Sequence, residues 1–413
     1  MNHNAGTERI LLLGGNHLMV SLVEECQAIG LEVYVTDNLK DAPAKKTCDH
    51  ACNISIRDID AIIDLIQENN INGVLCGFTD SVLPYYQQIC QRAGLPCYIT
   101  TAQQMAVTTN KLDLKKILKS HSVPCLESYN ENHLSTEHFP VIIKPTDNSG
   151  GRGIQICSTE INFQHALENA RKYSQSGQVL IEEKLDAAEA TVFYFVSEGE
   201  INYLGIGDRV TRQIYEDNIQ LPILYRFPSN HQESYISQLD NKIRTLITSL
   251  EMHDGLVYLQ MFYHQNTFIV YELAYRLTGS LEYKIFERTL GFNSARELAA
   301  FAVGRPMKRI DSMPIAINGY NLTILCDDSR DIVNVLGLDE INAHSGVIYI
   351  HQNFTPGEGG KAAEKGTLAQ VIYRILFLAQ NECEARDIIT MVNKTLRLQG
   401  KSGNVIPYYT ASL

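Results

Sequence analysis

The sequence predicts an α/β and α+β protein, with a parallel α/β unit first and mixed, strand-rich structure after it. Three observations carry this. Apolar strands and helix-spaced stretches alternate over the first hundred residues. The pattern changes near residue 110. A glycine-rich loop, "KPTDNSGGRGI" (144–154), then lies between two apolar runs.

The first unit reads in order. "RILLLGG" is a buried strand, and "HLMVSLVEECQAIG" has helical spacing and stops at Gly30, a good residue just past a helix end. "LEVYVTD" is a second strand, and "RDIDAIIDLIQENN" a helix with an acidic first turn. "INGVLCGF" is a third strand, "SVLPYYQQICQRAG" a helix, and "LPCYI" a fourth strand. Alternation of this kind implies a parallel sheet with right-handed crossovers. The first turn, "GGNHL", lacks G-x-G-x-x-G and reads as a tight strand-to-helix turn.

Beyond residue 110, "NKLDLKKILKSHSV" is a helix, and "FPVIIKP" and "RGIQICS" flank the glycine loop. "EINFQHALENARKYSQSG" is a helix and "QVLIEEKL" a strand. "ATVFYFVSEGEINYLGIGD" turns as a hairpin at Glu198–Gly199. "LVYLQMFY" and "TFIVYELAYRL" are strands, and helices follow to about 304. The last hundred residues mix short strands with the helix "NECEARDIITMVNKTL". "QGKSGNVIPYYTASL" is expected to be a loose tail.

Composition bounds the function. With 413 residues, the chain has room for roughly two to four domains. Hydrophobic residues are 45% and charged residues 20%, which suits packed globular cores. No apolar run approaches the ~18 residues of a membrane span. "MNHNAGTER" has no apolar core, so no signal peptide is expected. Ten cysteines without metal-type spacing suggest reduced thiols and a cytoplasmic location. A net charge of −12, dispersed, argues against a basic face for nucleic acid.

The glycine loop carries the chemistry. Glycines let backbone N–H groups converge on one point, and such a concave set of donors binds phosphate oxygens. Lys144, ending the incoming strand, adds a cation there. Downstream, "VLIEEKLDAAEA" offers a strand end that can pair with an adenine edge, then Glu189, which can accept from ribose hydroxyls. Gln260 and Glu272 fall on successive strands that can pair as a hairpin and aim both side chains at one site. Magnesium takes such oxygen ligands on a rigid frame. Arg276 keeps the strand parity of Glu272, and its fork suits a phosphate or carboxylate. Taken singly, Glu182 and Glu183 read as solvated, Gln260 as a core amide, and Glu272 as an ion pair with Arg276. Glu282 and Glu287 read as helix surface or substrate-amine contacts, Asp208 with Arg209 as a loop ion pair, and "YRFPS" (225–229) as a substrate loop.

In this order the motifs resemble the ATP-grasp superfamily, in its carboxylate–amine ligase-like branch. The chain is also similar to the ATP-grasp domains of carbamoyl-phosphate synthetase large chains and phosphoribosylglycinamide synthetases. The resemblance implies a parallel α/β pre-ATP-grasp domain (1–108). A two-lobed ATP-grasp fold would follow, its small lobe with the glycine lid at 109–190 and its large lobe with the metal motif at 191–305. A small C-terminal mixed domain (306–413) would close the chain. It implies that Lys111 and Lys144 contact ATP phosphates or adenine, and that Ser149, Gly150 and Gly151 cap the phosphates. Glu182, Glu183 and Leu185 would line the adenine hinge, and Glu189 would hold the ribose. Gln260 and Glu272 would bind Mg2+ (or Mn2+), with Arg276 steadying the transferred phosphoryl. Small-molecule carboxylate and amine substrates are implied, with neither nucleic acid nor membrane, and a homodimer is common in the family.

Two positions depart from the family pattern. Gln260 replaces its first metal acid and Ala274 its metal asparagine, so Glu272 is the one carboxylate of three expected ligands. The hinge glycine is also replaced, by Ala187 and Ala188. A bicarbonate-activating enzyme and a nucleotide-binding protein with little catalysis are therefore alternative expectations.

Overall fold

We describe residues 7–215, 219–308, 310, 317–358 and 365–412 of a computed structural model. The chain opens with β1 (Arg9–Leu13), α1 (His17–Ala28), β2 (Glu32–Thr36), β3 (His50–Cys52), α2 (Ile59–Glu68), β4 (Gly73–Cys76) and α3 (Leu83–Ala93). Its four strands are parallel, in the order β3-β2-β1-β4. Asn16 starts α1 by accepting from the Met19 N–H at 3.2 Å, and Gly94, in the left-handed region, ends α3.

One expectation fails here. "LPCYI" forms no strand, because Pro96 removes a backbone donor and the Ile99 carbonyl is taken by the Gln87 amide at 3.1 Å and the Cys97 thiol at 3.2 Å. The fourth strand is His50–Cys52, three residues long and too short to show a period.

Helix α4 (Ala102–Thr109), which the sequence reading did not pick out, is held by a Thr101–Gln104 capping box. It leads into α5 (Lys111–Ser120), capped by Asn110. A second sheet follows, from β5 (Ser128–Tyr129), β6 (Val141–Pro145), β7 (Gln155–Cys157) and β8 (Val179–Glu183), in the order β5-β8-β6-β7. Helix α6 (Phe163–Tyr173) packs on it through Phe163, Ala166 and Leu167, making a small separate core with Val141, Ile143 and Ile181. The glycine loop joins β6 to β7 as a hairpin connection.

The third sheet is the largest. It contains β9 (Ala188–Ser197), β10 (Glu200–Arg212), β11 (Leu221–Phe227), β12 (Gly255–His264), β13 (Thr267–Tyr275), β14 (Asn318–Leu325), β16 (Val347–Gln352) and β17 (Val371–Ala379). The order is β13-β12-β9-β10-β11-β14-β17-β16, with every pair antiparallel. Residues 225–227 of "YRFPS" are thus strand rather than loop. Glu198 and Gly199 both take positive φ at the hairpin tip, as a two-residue turn between twisted strands requires. The helices are α7 (Gln232–Tyr235), α8 (Asn241–Ser249), α9 (Glu282–Leu290) and α10 (Ser294–Ala302). One continuous apolar core joins the first unit to this sheet.

The C-terminal stretch is packed, contrary to the expected loose tail. β15 (Ile332–Leu336), β18 (Arg397–Gly400) and β19 (Val405–Ile406) form a small antiparallel sheet beside α11 (Leu338–Asn342) and α12 (Glu382–Thr395). Leu325 and Tyr409 exchange backbone hydrogen bonds at 2.9 and 2.8 Å, and Ala411 is buried. The tail's apolar residues are too few to show periodicity, but Ile406 and Ala411 join the C-terminal core, with Tyr408 and Tyr409 packed against it. Among the described residues, no helix is long and apolar enough to cross a membrane.

Candidate functional site

The glycine loop is anchored at its base. The Asp147 carboxylate accepts from the Ser174 hydroxyl at 2.7 Å and the Ser176 N–H at 2.8 Å, and the Asn148 side chain donates to the Tyr173 carbonyl at 2.9 Å. Gly150, Gly151 and Gly153 all have positive φ. The tip reaches the C-terminal part of the chain: the Leu368 N–H donates to the Gly150 carbonyl at 3.4 Å, and Gly151 lies against Gly366.

Below the loop, three lysines gather. Lys111 opens α5, and its ammonium donates to the Asn148 carbonyl in the loop. Lys144, at the end of β6, is ion-paired to Glu182 on β8. Lys115, one turn after Lys111, pairs with the other oxygen of Glu182 and donates to the Ser128 hydroxyl at 2.6 Å. Lys115, Lys144 and Glu182 are all buried. Burial alone would raise the Glu182 carboxyl, and the two lysines overcome it and lower it. Burial pulls the Lys111 ammonium down, while Glu272 opposes that shift; Lys144, Asp80 and Glu182 act on it too. Residues from α5, β6, β8 and β13 therefore converge on one place. Lys115 was missed by the sequence reading, although its spacing of four from Lys111 puts it on the same helix face. A small cavity beside the cluster is lined by Lys111, Lys115, Leu180, Glu182, Val270 and Tyr271, among others.

Gln260 and Glu272 are direct partners across β12 and β13, so both side chains leave the same face. Among the described residues, no group of three or more His, Cys, Asp or Glu side chains forms a metal cluster. Gln260 and Glu272 supply two oxygen donors, a set that suits a hard divalent cation completing its shell elsewhere.

Arg276 follows the end of β13 on the expected side. Its fork is closed by Asp80, from the loop after β4: Nε donates to Oδ1 at 2.5 Å and Nη2 to Oδ2 at 2.6 Å, while Nη1 donates to the Leu277 carbonyl at 2.8 Å. Burial alone would lower the Arg276 guanidinium, and Asp80 more than reverses this. The ion pair weighed between Glu272 and Arg276 is therefore Arg276 with Asp80.

The hinge residues are arranged as follows. Glu182 points inward to the lysines rather than into solvent. The Glu183 carboxylate accepts from the Glu127 N–H at 2.9 Å, and Leu185 is half-buried in the stretch between β8 and β9. Glu189, near the start of β9, is ion-paired to Arg209 and accepts from the Tyr271 hydroxyl at 2.8 Å. Arg209 and Asp208 lie within β10, not in a loop. Asp208 is paired with Arg226 and accepts from the Ser229 hydroxyl. Glu282 is another correction: it is buried rather than at the helix surface, as the first residue of α9. Glu287 is partly exposed and pairs with Arg296 at 2.6 Å.

Residues 137–282 match the family described as the ATP-grasp domain. The chain is 25% identical over 190 residues to the formate-dependent phosphoribosylglycinamide formyltransferase of Wolinella succinogenes. That match covers 42% of this chain and 47% of the relative, so the chain spans about half the length of the curated relatives it matches. Among solved structures, it superposes on the L-amino acid ligase of Bacillus licheniformis with a TM-score of 0.77 at 16% identity, covering 96% of this chain and 99% of the other. It also superposes on the biotin carboxylase domain of Hydrogenobacter thermophilus 2-oxoglutarate carboxylase, in a complex containing MgADP and bicarbonate. There the TM-score is 0.78 at 15% identity, with 97% and 91% coverage.

Proposed function

We propose that this chain, whose residues 137–282 match the ATP-grasp domain, is an ATP-dependent ligase that joins a small-molecule carboxylate to an amine. A carboxylate oxygen attacks the γ-phosphorus of ATP, the bond to the leaving oxygen of ADP breaks, and an acyl phosphate forms. The amine attacks the acyl carbon, phosphate leaves, and the nitrogen loses a proton to give the amide. Both steps crowd anions together, so they need fixed cations and the exclusion of water.

The observation that carries this reading is the surplus of positive charge beneath a glycine loop. Lys111, Lys115 and Lys144 face Glu182, with Glu272 nearby. Lys111 and Lys144 would hold ATP phosphates or adenine, and Ser149, Gly150 and Gly151 would cover the phosphates. Glu182, Glu183 and Leu185 would line the adenine hinge, partly through backbone, and Glu189 would hold the ribose. Gln260 and Glu272 would hold magnesium, which when bound neutralises phosphate charge. Arg276 would face the transferred phosphoryl from its place beside Asp80.

ADP release in the presence of ATP, magnesium and a panel of carboxylates with amines tests the proposal. Turnover that falls at least 100-fold in Lys144→Ala is expected; equal release by parent and variant across the panel would refute it. A second reading, nucleotide binding with little turnover, is favoured by the closure of Arg276 on Asp80. Tight ATP binding without ADP release, indifferent to magnesium, would select it.

A further inference from the structure

The segment that leaves α3 doubles back along that helix and brings two cysteines together. Gly94 supplies the left-handed residue of the turn, at φ +66°, and the Leu95 N–H donates to the Cys90 carbonyl at 3.0 Å. Further on, the Gln87 amide donates to the Ile99 carbonyl at 3.1 Å and the Tyr98 N–H to the Tyr86 hydroxyl at 3.4 Å. The Tyr86 and Tyr98 rings lie 4.9 Å apart. Tyr86 and Cys90 are one helical turn apart, so they share the face against which residues 97–99 fold.

Three thiols gather here, and they differ. Cys76, ending β4, is buried and bonded to the Tyr98 hydroxyl at 2.9 Å. Cys90 is buried on α3. Cys97 is partly exposed, with its thiol on the Ile99 carbonyl at 3.2 Å. The largest influence on Cys90 and on Cys97 is the other's thiol. Their mutual hydrogen bond raises Cys90 and lowers Cys97, while burial pushes both up. A buried cysteine is usually an inert, small apolar residue. Cys90 instead touches a second thiol that solvent reaches and that is eased towards its nucleophilic thiolate.

We propose that Cys90 and Cys97 form a reversible disulfide, with Cys97 the thiol that meets a hydroperoxide and Cys90 the thiol that resolves it. The Cys97 thiolate attacks one peroxide oxygen and the O–O bond breaks. The other oxygen takes up the proton the thiol gave and leaves as an alcohol, or as water from hydrogen peroxide. Cys97 is then a sulfenic acid. The Cys90 sulfur attacks the Cys97 sulfur, the S–O bond breaks, and water leaves with the Cys90 proton. The two thiols have lost two electrons and the peroxide has gained them.

Treating the reduced full chain with hydrogen peroxide, alkylating it unfolded and mapping its peptides tests this. Chymotrypsin and trypsin, cutting after Tyr86 and Arg92, put Cys76, Cys90 and Cys97 on separate peptides. Exposed Cys383 reports that the dose sufficed. A linked Cys90–Cys97 peptide should be the main fate of both residues, absent without peroxide and lost after dithiothreitol. Cys90→Ser should strand Cys97 as its sulfenic acid and raise dimedone capture there about tenfold. Cys90→Ala carries the same test if serine at that buried place does not fold. Cys97→Ser should leave Cys90 reduced. Oxidation of Cys383 while Cys90 and Cys97 stay alkylated overturns the inference. So does a link from Cys97 to Cys76, or equal dimedone capture at Cys97 in the parent and the Cys90 variants.

Discussion

Glu182 shows how much one side chain can organise. Two ammonium groups, from α5 and β6, meet its two oxygens in a buried place. Removing its charge leaves two buried cations facing each other, and breaking a buried pair in this way typically costs about 3–5 kcal/mol. Glu182→Gln should lose stability of that order in urea unfolding at neutral pH. The Glu182 carboxyl is lowered in the folded state, so its contribution is complete above the ordinary glutamate value of 4.5. It is lost as pH falls through the folded value. The gap between parent and variant should therefore narrow in acid, as unfolding midpoints measured from pH 7 to pH 3 would show. The two acids of "IEE" look alike in sequence. Only Glu182 faces the lysines, because neighbours on a strand point to opposite faces.

At the scale of elements, the glycine loop separates two uses of glycine. Gly153 has φ of +73°, and a Cβ there would lie 2.6 Å from Tyr173 Cβ and 2.9 Å from Pro145 Cγ. Gly150, at +72°, would meet nothing within 4 Å. Gly150→Ala should cost only the left-handed backbone term, about 1–2 kcal/mol. Gly153→Ala should cost more, because α6 must also move. Thermal melting of the two variants would check the order, and equal costs would mean that the contact with Tyr173 does not matter. Element types were largely legible: strand and helix periods, Gly30 as a stop, and the Glu198–Gly199 turn all act over a few residues. The elements misread were the ones with least local signal. His50–Cys52 is too short, "LPCYI" is apolar but broken by Pro96, and the last strands are only four and two residues long, with β18 also pairing to the distant β15.

The whole molecule is tied together through Arg276 and Asp80, 196 residues apart. This bidentate pair joins the loop after β4 to the end of β13, beside the continuous core shared by the first unit and the large sheet. Asp80→Ala should leave the Arg276 charge buried and unpaired, at a cost of about 3–5 kcal/mol. Asp80→Asn, which keeps an acceptor, should lose less. Unfolding by guanidinium chloride would test both, and an unaffected Asp80→Ala variant would show that the clamp carries no stability.

What the sequence determined by itself is what short-range chemistry encodes. The parallel first unit, the glycine loop behind Lys144, and the pairing of Gln260 with Glu272 all follow from period, turn residues and strand parity. The tertiary structure decided which charges meet: Lys115 with Glu182, Arg209 with Glu189, Asp80 with Arg276, and a buried Glu282 near Arg374. Side-chain direction repeats along a strand or helix and can be read there. Burial and partnership depend on which distant segment packs on that face, and local periodicity does not carry that information.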